Sequence, residues 1–229
     1  MKNIRALTLA FLLSFFGSSY ALADGFTVGL TGSMAMIDAT GSELEGGELT
    51  RDEVNNNAAI GSVFVEYNDI MGSGFSLGLD YIPGSADISS STKTRSDSET
   101  SITGQTGTQA LARSQSAQAE LENHMTLYAT YGANGVYVKA GYVQVDLNTL
   151  ESLATGSAYG NETLNGVTIG AGVEFDVYTN TVGRLEITRT AYDEISLRSS
   201  ATRAGVASNN LIEADIDVTT LSASLGYKF

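Results

Sequence analysis

The sequence predicts an all-β chain: an eight-stranded antiparallel up-and-down β-barrel that crosses a membrane with its strands, behind an N-terminal signal peptide. Three observations carry the prediction. Apolar residues alternate with small or polar ones through eight separate segments, and successive strand side chains point to opposite faces. The seven connections between those segments alternate long and short. The last segment sets Leu221, Ala223, Leu225, Tyr227 and Phe229 against Ser222, Ser224, Gly226 and Lys228, and the sequence stops on that apolar face. Lipid can serve as the apolar partner of such a face, provided the backbone groups pair around a closed cylinder.

The chain begins with a basic stretch holding Lys2 and Arg5, then the mostly apolar run from Ala6 to Phe16, then the small-x-small site Ala21-Leu22-Ala23. That is the pattern of a secretory signal peptide over residues 1–23, which makes residues 24–229 the mature barrel. No stretch reaches the ~20 apolar residues that a spanning helix needs.

Each strand has its own justification. The first, Gly25 to Asp38, carries Phe26, Val28, Leu30, Met34 and Met36 on one side and Thr27, Gly29, Thr31 and Ser33 on the other. Residues 39–58 are acidic and Asn-rich and read as a long loop. The second strand, Ala59 to Tyr67, alternates Val63, Val65 and Tyr67 with Ser62, Phe64 and Glu66. After a short turn the third, Gly74 to Ile82, alternates Phe75, Leu77, Leu79 and Tyr81 with Ser76, Gly78 and Asp80, and Pro83-Gly84 ends it. Residues 85–117 are Ser/Thr-rich, of low complexity, and read as loop, with a short helix conceivable over Ala110 to Ala119. The fourth strand, Gln118 to Tyr131, is followed by Asn134-Gly135, a hairpin signature. The fifth, Val136 to Asp146, reverses parity after Tyr142, which predicts either a bulge near Tyr142-Val143 or a strand leaving the membrane there. The sixth, Thr163 to Val177, alternates Val167, Ile169, Ala171, Val173 and Phe175 with Thr168, Gly170, Gly172, Glu174 and Asp176. The seventh starts near Arg184 and places Arg189 on its apolar parity, where a lipid headgroup would suit it. The eighth, Ile212 to Phe229, reverses parity near Val218-Thr219, so a second bulge is expected. Long polar loops are expected over residues 147–162 and 194–211.

The terminal nine residues resemble the last strand of bacterial outer-membrane β-barrels, which end in Phe with an aromatic two residues earlier. The resemblance implies recognition by the barrel-assembly machinery through Tyr227 and Phe229. The alternation of long and short connections also resembles these proteins, with long extracellular loops, short periplasmic turns and both mature termini in the periplasm. Phe26, Tyr67, Phe75, Tyr131, Phe175, Tyr178, Tyr227 and Phe229 fall at one end of their strands, as an aromatic girdle does. The whole mature chain looks like a small barrel of the OmpX/OmpA-transmembrane type, a porin-like protein of the Gram-negative cell surface. Leu77 to Asp87 and Tyr137 to Tyr142 are similar to barrel proteins of marine bacteria. The resemblance implies a non-enzymatic role in membrane integrity, surface attachment or loop-borne interaction with lipopolysaccharide or an extracellular partner.

Composition narrows the chemistry. There are no cysteines, hence no disulfide and no thiolate site. The formal net charge is −14, which disfavours nucleic acid as a partner. The inward parity carries Glu66, Asp80, Lys139, Glu174, Arg184, Glu186 and Lys228. In a lumen only wide enough for side chains, these are expected to pair into a plug, with a narrow solute channel as the alternative. Catalysis would have to use the sole histidine, His124, with Glu120 and Glu122 on its expected face. No serine sits at a useful spacing, so the pattern of lipid A-modifying barrels is missing. Gly170-Ala171-Gly172 and Gly29 to Gly32 lack the strand-to-helix context of a nucleotide loop. The acidic loops could reach lipopolysaccharide phosphates through divalent cations, but no calcium-loop spacing is present. No catalytic, cofactor or metal residue is assigned.

Overall fold

A computed structural model describes residues 25–45, 48–87, 93–98, 112–117, 119–150, 158–200 and 210–229. The signal-peptide reading of residues 1–23 lies outside them. In chain order the strands are β1 (Phe26–Glu45), β2 (Glu48–Tyr67), β3 (Phe75–Asp87), β4 (Lys93–Ser98) and β5 (Ala112–Ala117). They continue as β6 (Ala119–Ala133), β7 (Val136–Thr149), β8 (Glu162–Tyr178), β9 (Thr181–Tyr192), β10 (Ile195–Arg198) and β11 (Leu211–Lys228). Eight of them, β1, β2, β3, β6, β7, β8, β9 and β11, form an antiparallel ring in which β11 pairs back onto β1. The short β10 prolongs the course of β9 alongside β11. The fold class read from the sequence is therefore the one observed.

One end of the ring, here the near end, carries Gly25 and Phe229, joined by the backbone bond from Gly25 N to Phe229 O at 3.3 Å. The turns at that end are tight. Asn134 and Gly135 both have positive φ, 56° and 78°, which the Asn-Gly pair tolerates and a hairpin turn of this kind requires. The far end is different from expectation. Residues 39–58 are not a loop: β1 and β2 stay paired from Phe26↔Tyr67 to Glu45↔Glu48. Residues 85–117 are not loop throughout either. β3 continues to Asp87, and β4 pairs with β5 from Lys93↔Ala117 to Ser98↔Ala112, so the described part of the conceivable helix is strand. β7 also runs on to Thr149, three residues past the expected boundary at Asp146.

Exposure separates two zones along the wall. From the near end to the middle, the outward side chains are apolar: Leu30 is 64% exposed, Ile169 65% and Leu225 56%. Phe26 to Met36 covers about 33 Å of strand, or ~25 Å of height at a ~40° tilt, the thickness of a barrel's lipid-facing band. The aromatic residues line its near edge, and Phe75–Tyr131 and Tyr227–Phe229 ring pairs lie 4.7 and 5.0 Å apart.

Beyond that band the chemistry inverts. Ala35, Ile37, Val145, Leu147, Leu164, Ile216 and Val218 turn inward and form a buried apolar core. The outward positions beside them, among them Asp38, Glu53, Asn55 and Gln144, are exposed. Neither expected bulge exists at the parity reversals. β7 and β8 keep an unbroken register from Val136↔Val173 to Leu147↔Glu162, and β1 and β11 do so from Thr27↔Lys228 to Leu44↔Leu211. The reversal marks where the wall leaves lipid for water. Outside the membrane the hydrophobic effect favours apolar side chains on the inside, as in any soluble barrel.

Candidate functional site: the filled lumen

Inward-facing side chains at lipid level come from the polar parity of each strand, so the lumen is where buried charge collects. All seven charged residues assigned to it from the sequence are there. At the near end Arg184 reaches across from β9 to β2 and grips Glu66 with both terminal nitrogens, at 3.0 Å from Nη1 and 2.5 Å from Nη2. The same guanidinium donates through Nε to Glu174 at 2.8 Å, and Lys228 donates to the other oxygen of Glu174 at 2.7 Å. Two acids and two bases thus close a network across the lumen. Glu66 is 2% exposed, and an unpaired carboxylate there would be very costly.

A second group sits above it. Lys139 pairs with Glu186 at 2.8 Å, and Tyr137 donates its hydroxyl to the same carboxylate at 3.0 Å. The Lys139 ammonium lies 4.2 Å from the centre of the Tyr128 ring. Asp80 completes the expected set, accepting a hydrogen bond from Ser62 at 2.9 Å. Hydroxyl pairs tie the closing strands from inside: Thr31 with Ser224, and Ser33 with Ser222, each at 2.8 Å. Between these polar layers and the far apolar core lies a cavity of about 130 Å³. A second recess of about 300 Å³ opens at the near end below the plug.

The sequence reading misplaced the surroundings of His124. A bulge between Glu122 and Met125, with Asn123 at φ 54°, shifts the parity of β6. Leu121 and His124 therefore both line the lumen, and Glu120 and Glu122 do not share the histidine's face. The partner of His124 is Tyr192, whose hydroxyl lies 2.9 Å from Nε2, while Nδ1 has no partner among the described residues. Tyr192 had no signal in the sequence beyond its position at the end of β9. Tyr128 and Tyr137 had one, since both fall on the inward parity. Arg189 faces outward as expected and pairs with Asp217 at 3.4 Å. Among the described residues no cluster of three metal-ligating side chains occurs.

The chain is similar to several solved structures. The structure of OprG from Pseudomonas aeruginosa aligns at a TM-score of 0.55 and 13% identity, over 90% of this chain and 96% of that one. Ail, the attachment invasion locus protein of Yersinia pestis, aligns at 0.40 and 13%, over 88% and 99%. The outer membrane protease OmpT of Escherichia coli aligns at 0.46 and 13%, over 93% and 100%. No curated protein matches the chain. The model of the outer membrane protein beta-barrel domain matches residues 7–229. A closed eight-stranded ring, a lipid-facing apolar band, an aromatic girdle and this match together place the chain in the outer membrane β-barrel family.

Proposed function

We propose that this protein is a non-enzymatic barrel of the outer membrane, closed to solute flow, whose prolonged strands raise acidic loops above the cell surface. The observation that supports it best is the Glu66–Arg184–Glu174–Lys228 network, which fills the narrow lumen at lipid level. Its ion pairs hold one another in place across the lumen, which in this reading closes the path to solutes. Both mature termini lie in the periplasm in this reading, and Tyr227 and Phe229 serve as the assembly signal. The loops and the outward band around Arg189 then meet lipopolysaccharide or an external partner. His124 is a structural hydrogen-bonding group rather than a catalyst in this reading, since its ring engages the half-buried Tyr192.

Planar-bilayer recording tests the closed lumen. The wild-type protein is expected to give no stable conductance step, and the double variant Arg184→Ala/Lys228→Ala a measurable leak. A reproducible wild-type conductance would favour the narrow-channel reading instead. A lipid A mass spectrum altered by expression of the protein would refute the non-enzymatic assignment.

A further inference from the structure

One ladder of the ring is short. β2 and β3 pair only from Val63↔Tyr81 to Tyr67↔Leu77, while both strands continue well past that point. Above it, among the described residues, β2 pairs only with β1, and β3 only with β6. The parting begins inside the lipid band. On β1, Val63 lies opposite Leu30 and Ala59 opposite Met34, and those two residues are 64% and 49% exposed to the outside.

The local sequence suits a parted seam. Pro83 has no N–H to donate across it. Gly84, at φ 117°, and Gly61 each have nothing within 4 Å of where a side chain would begin. Unpaired backbone at membrane depth is tolerated where it lines a water-filled cavity, and here a cavity with a polar wall lies directly behind. Ile60 and Ser62 from β2, with Asp80, Ile82 and Gly84 from β3, line the ~130 Å³ space in the lumen.

That space is two-sided. Ile37, Leu121 and Val218 make its far wall apolar, and Asp80, Tyr128 and Lys139 make its near wall polar. Lys139 is engaged by Glu186, whereas the hydrogen bond to Asp80 comes from a hydroxyl. The polar wall therefore has an acceptor to offer. The volume is close to that of the ~150 Å³ engineered cavity that takes a benzene ring.

We propose that the lumen cavity is a binding site for a small amphiphile, which enters sideways from the bilayer through the β2–β3 seam. The ligand carries a hydrogen-bond-donating head, an alcohol, phenol or amine, directed at Asp80. Its apolar body, about one ring in size, packs against Ile60, Ile37 and Leu121. The site goes beyond the closed-lumen reading and does not depend on it, because entry is from the side.

The chain contains no tryptophan, so single tryptophans report cleanly. Ile82→Trp at the seam and Thr188→Trp across the lumen are folded into phosphatidylcholine vesicles brominated on the acyl chains. The Ile82→Trp emission is expected to be largely quenched and the Thr188→Trp emission to match that in unbrominated vesicles. Ile60→Trp repeats the measurement from the other strand should Ile82→Trp not fold. 4-Fluorobenzyl alcohol is then titrated against the wild-type barrel by fluorine NMR, with 4-fluorobenzoate as the control. Saturable binding of the alcohol, absent for the benzoate and weakened about tenfold by Asp80→Asn, is the expected result, the worth of one hydrogen bond to a charged group. Emission unaffected by bromine at both seam positions would overturn the lateral route. Alcohol binding that does not saturate, or that Asp80→Asn leaves unchanged, would overturn the site. Neither result bears on conductance.

Discussion

At the scale of single residues, the lumen is governed by what burial demands of charge. The sequence assigns Glu66 and Arg184 to the inward parity but not to each other, since 118 positions separate them. Removing one partner leaves the other charged and buried. Glu66→Leu or Arg184→Met alone is expected to cost ~3–5 kcal/mol in reversible urea unfolding from vesicles, and the double variant Glu66→Leu/Arg184→Met to regain most of it. Glycine acts here by absence. A Cβ on Gly78 would collide with the Tyr128 ring, which lies over that gap in β3. Gly78→Ala is expected to cost ~1–3 kcal/mol in the same assay, and adding Tyr128→Leu to relieve it. Alternation finds both residues, but only the register between β3 and β6 sets this tyrosine opposite this glycine. His124 shows the limit of parity more sharply, because one bulged residue, Asn123, separates it from the glutamates that alternation places beside it.

At the scale of the strand, β7 does two jobs with one backbone. Val138 and Tyr142 face lipid, 56% and 51% exposed, whereas Val143 and Val145 are fully buried. The switch was visible in the sequence, but its cause was not. A bulge and an exit from the membrane produce the same parity reversal, and the unbroken β7–β8 register selects the exit. Val145→Asn is expected to cost about 1–3 kcal/mol for an amide placed in the far core. Gln144→Asn, its outward neighbour, should stay within about 0.5 kcal/mol. The lipid face has the opposite sensitivity. Ile169→Arg, within the lipid-facing band, is expected to cost ~2–4 kcal/mol, read as a shift in the urea midpoint. Arg189 is accommodated on the same surface with Asp217 as its partner.

At the scale of the whole molecule, β11 closes onto β1, and among the described residues the β2–β3 ladder is the shortest of the ring. The ring is therefore expected to be uneven in protection. In hydrogen-exchange NMR, amides of β2 between Ala59 and Ser62 that point away from β1 should exchange much faster than those of the β1–β11 ladder at equal depth. Uniform protection around the ring would contradict an open seam. By itself the sequence determined the number of wall strands, their faces at lipid level, the lipid-exposed band, the aromatic girdle and the inventory of luminal charges. These follow from a period of two residues and from lipid or water on one side of each strand. Which charges pair, where the wall emerges from lipid, which strands remain joined and where a cavity is left were decided only by the tertiary structure. Those properties depend on the stagger between neighbouring strands, which places residues far apart in the chain at the same height, and alternation within one strand carries no information about that offset.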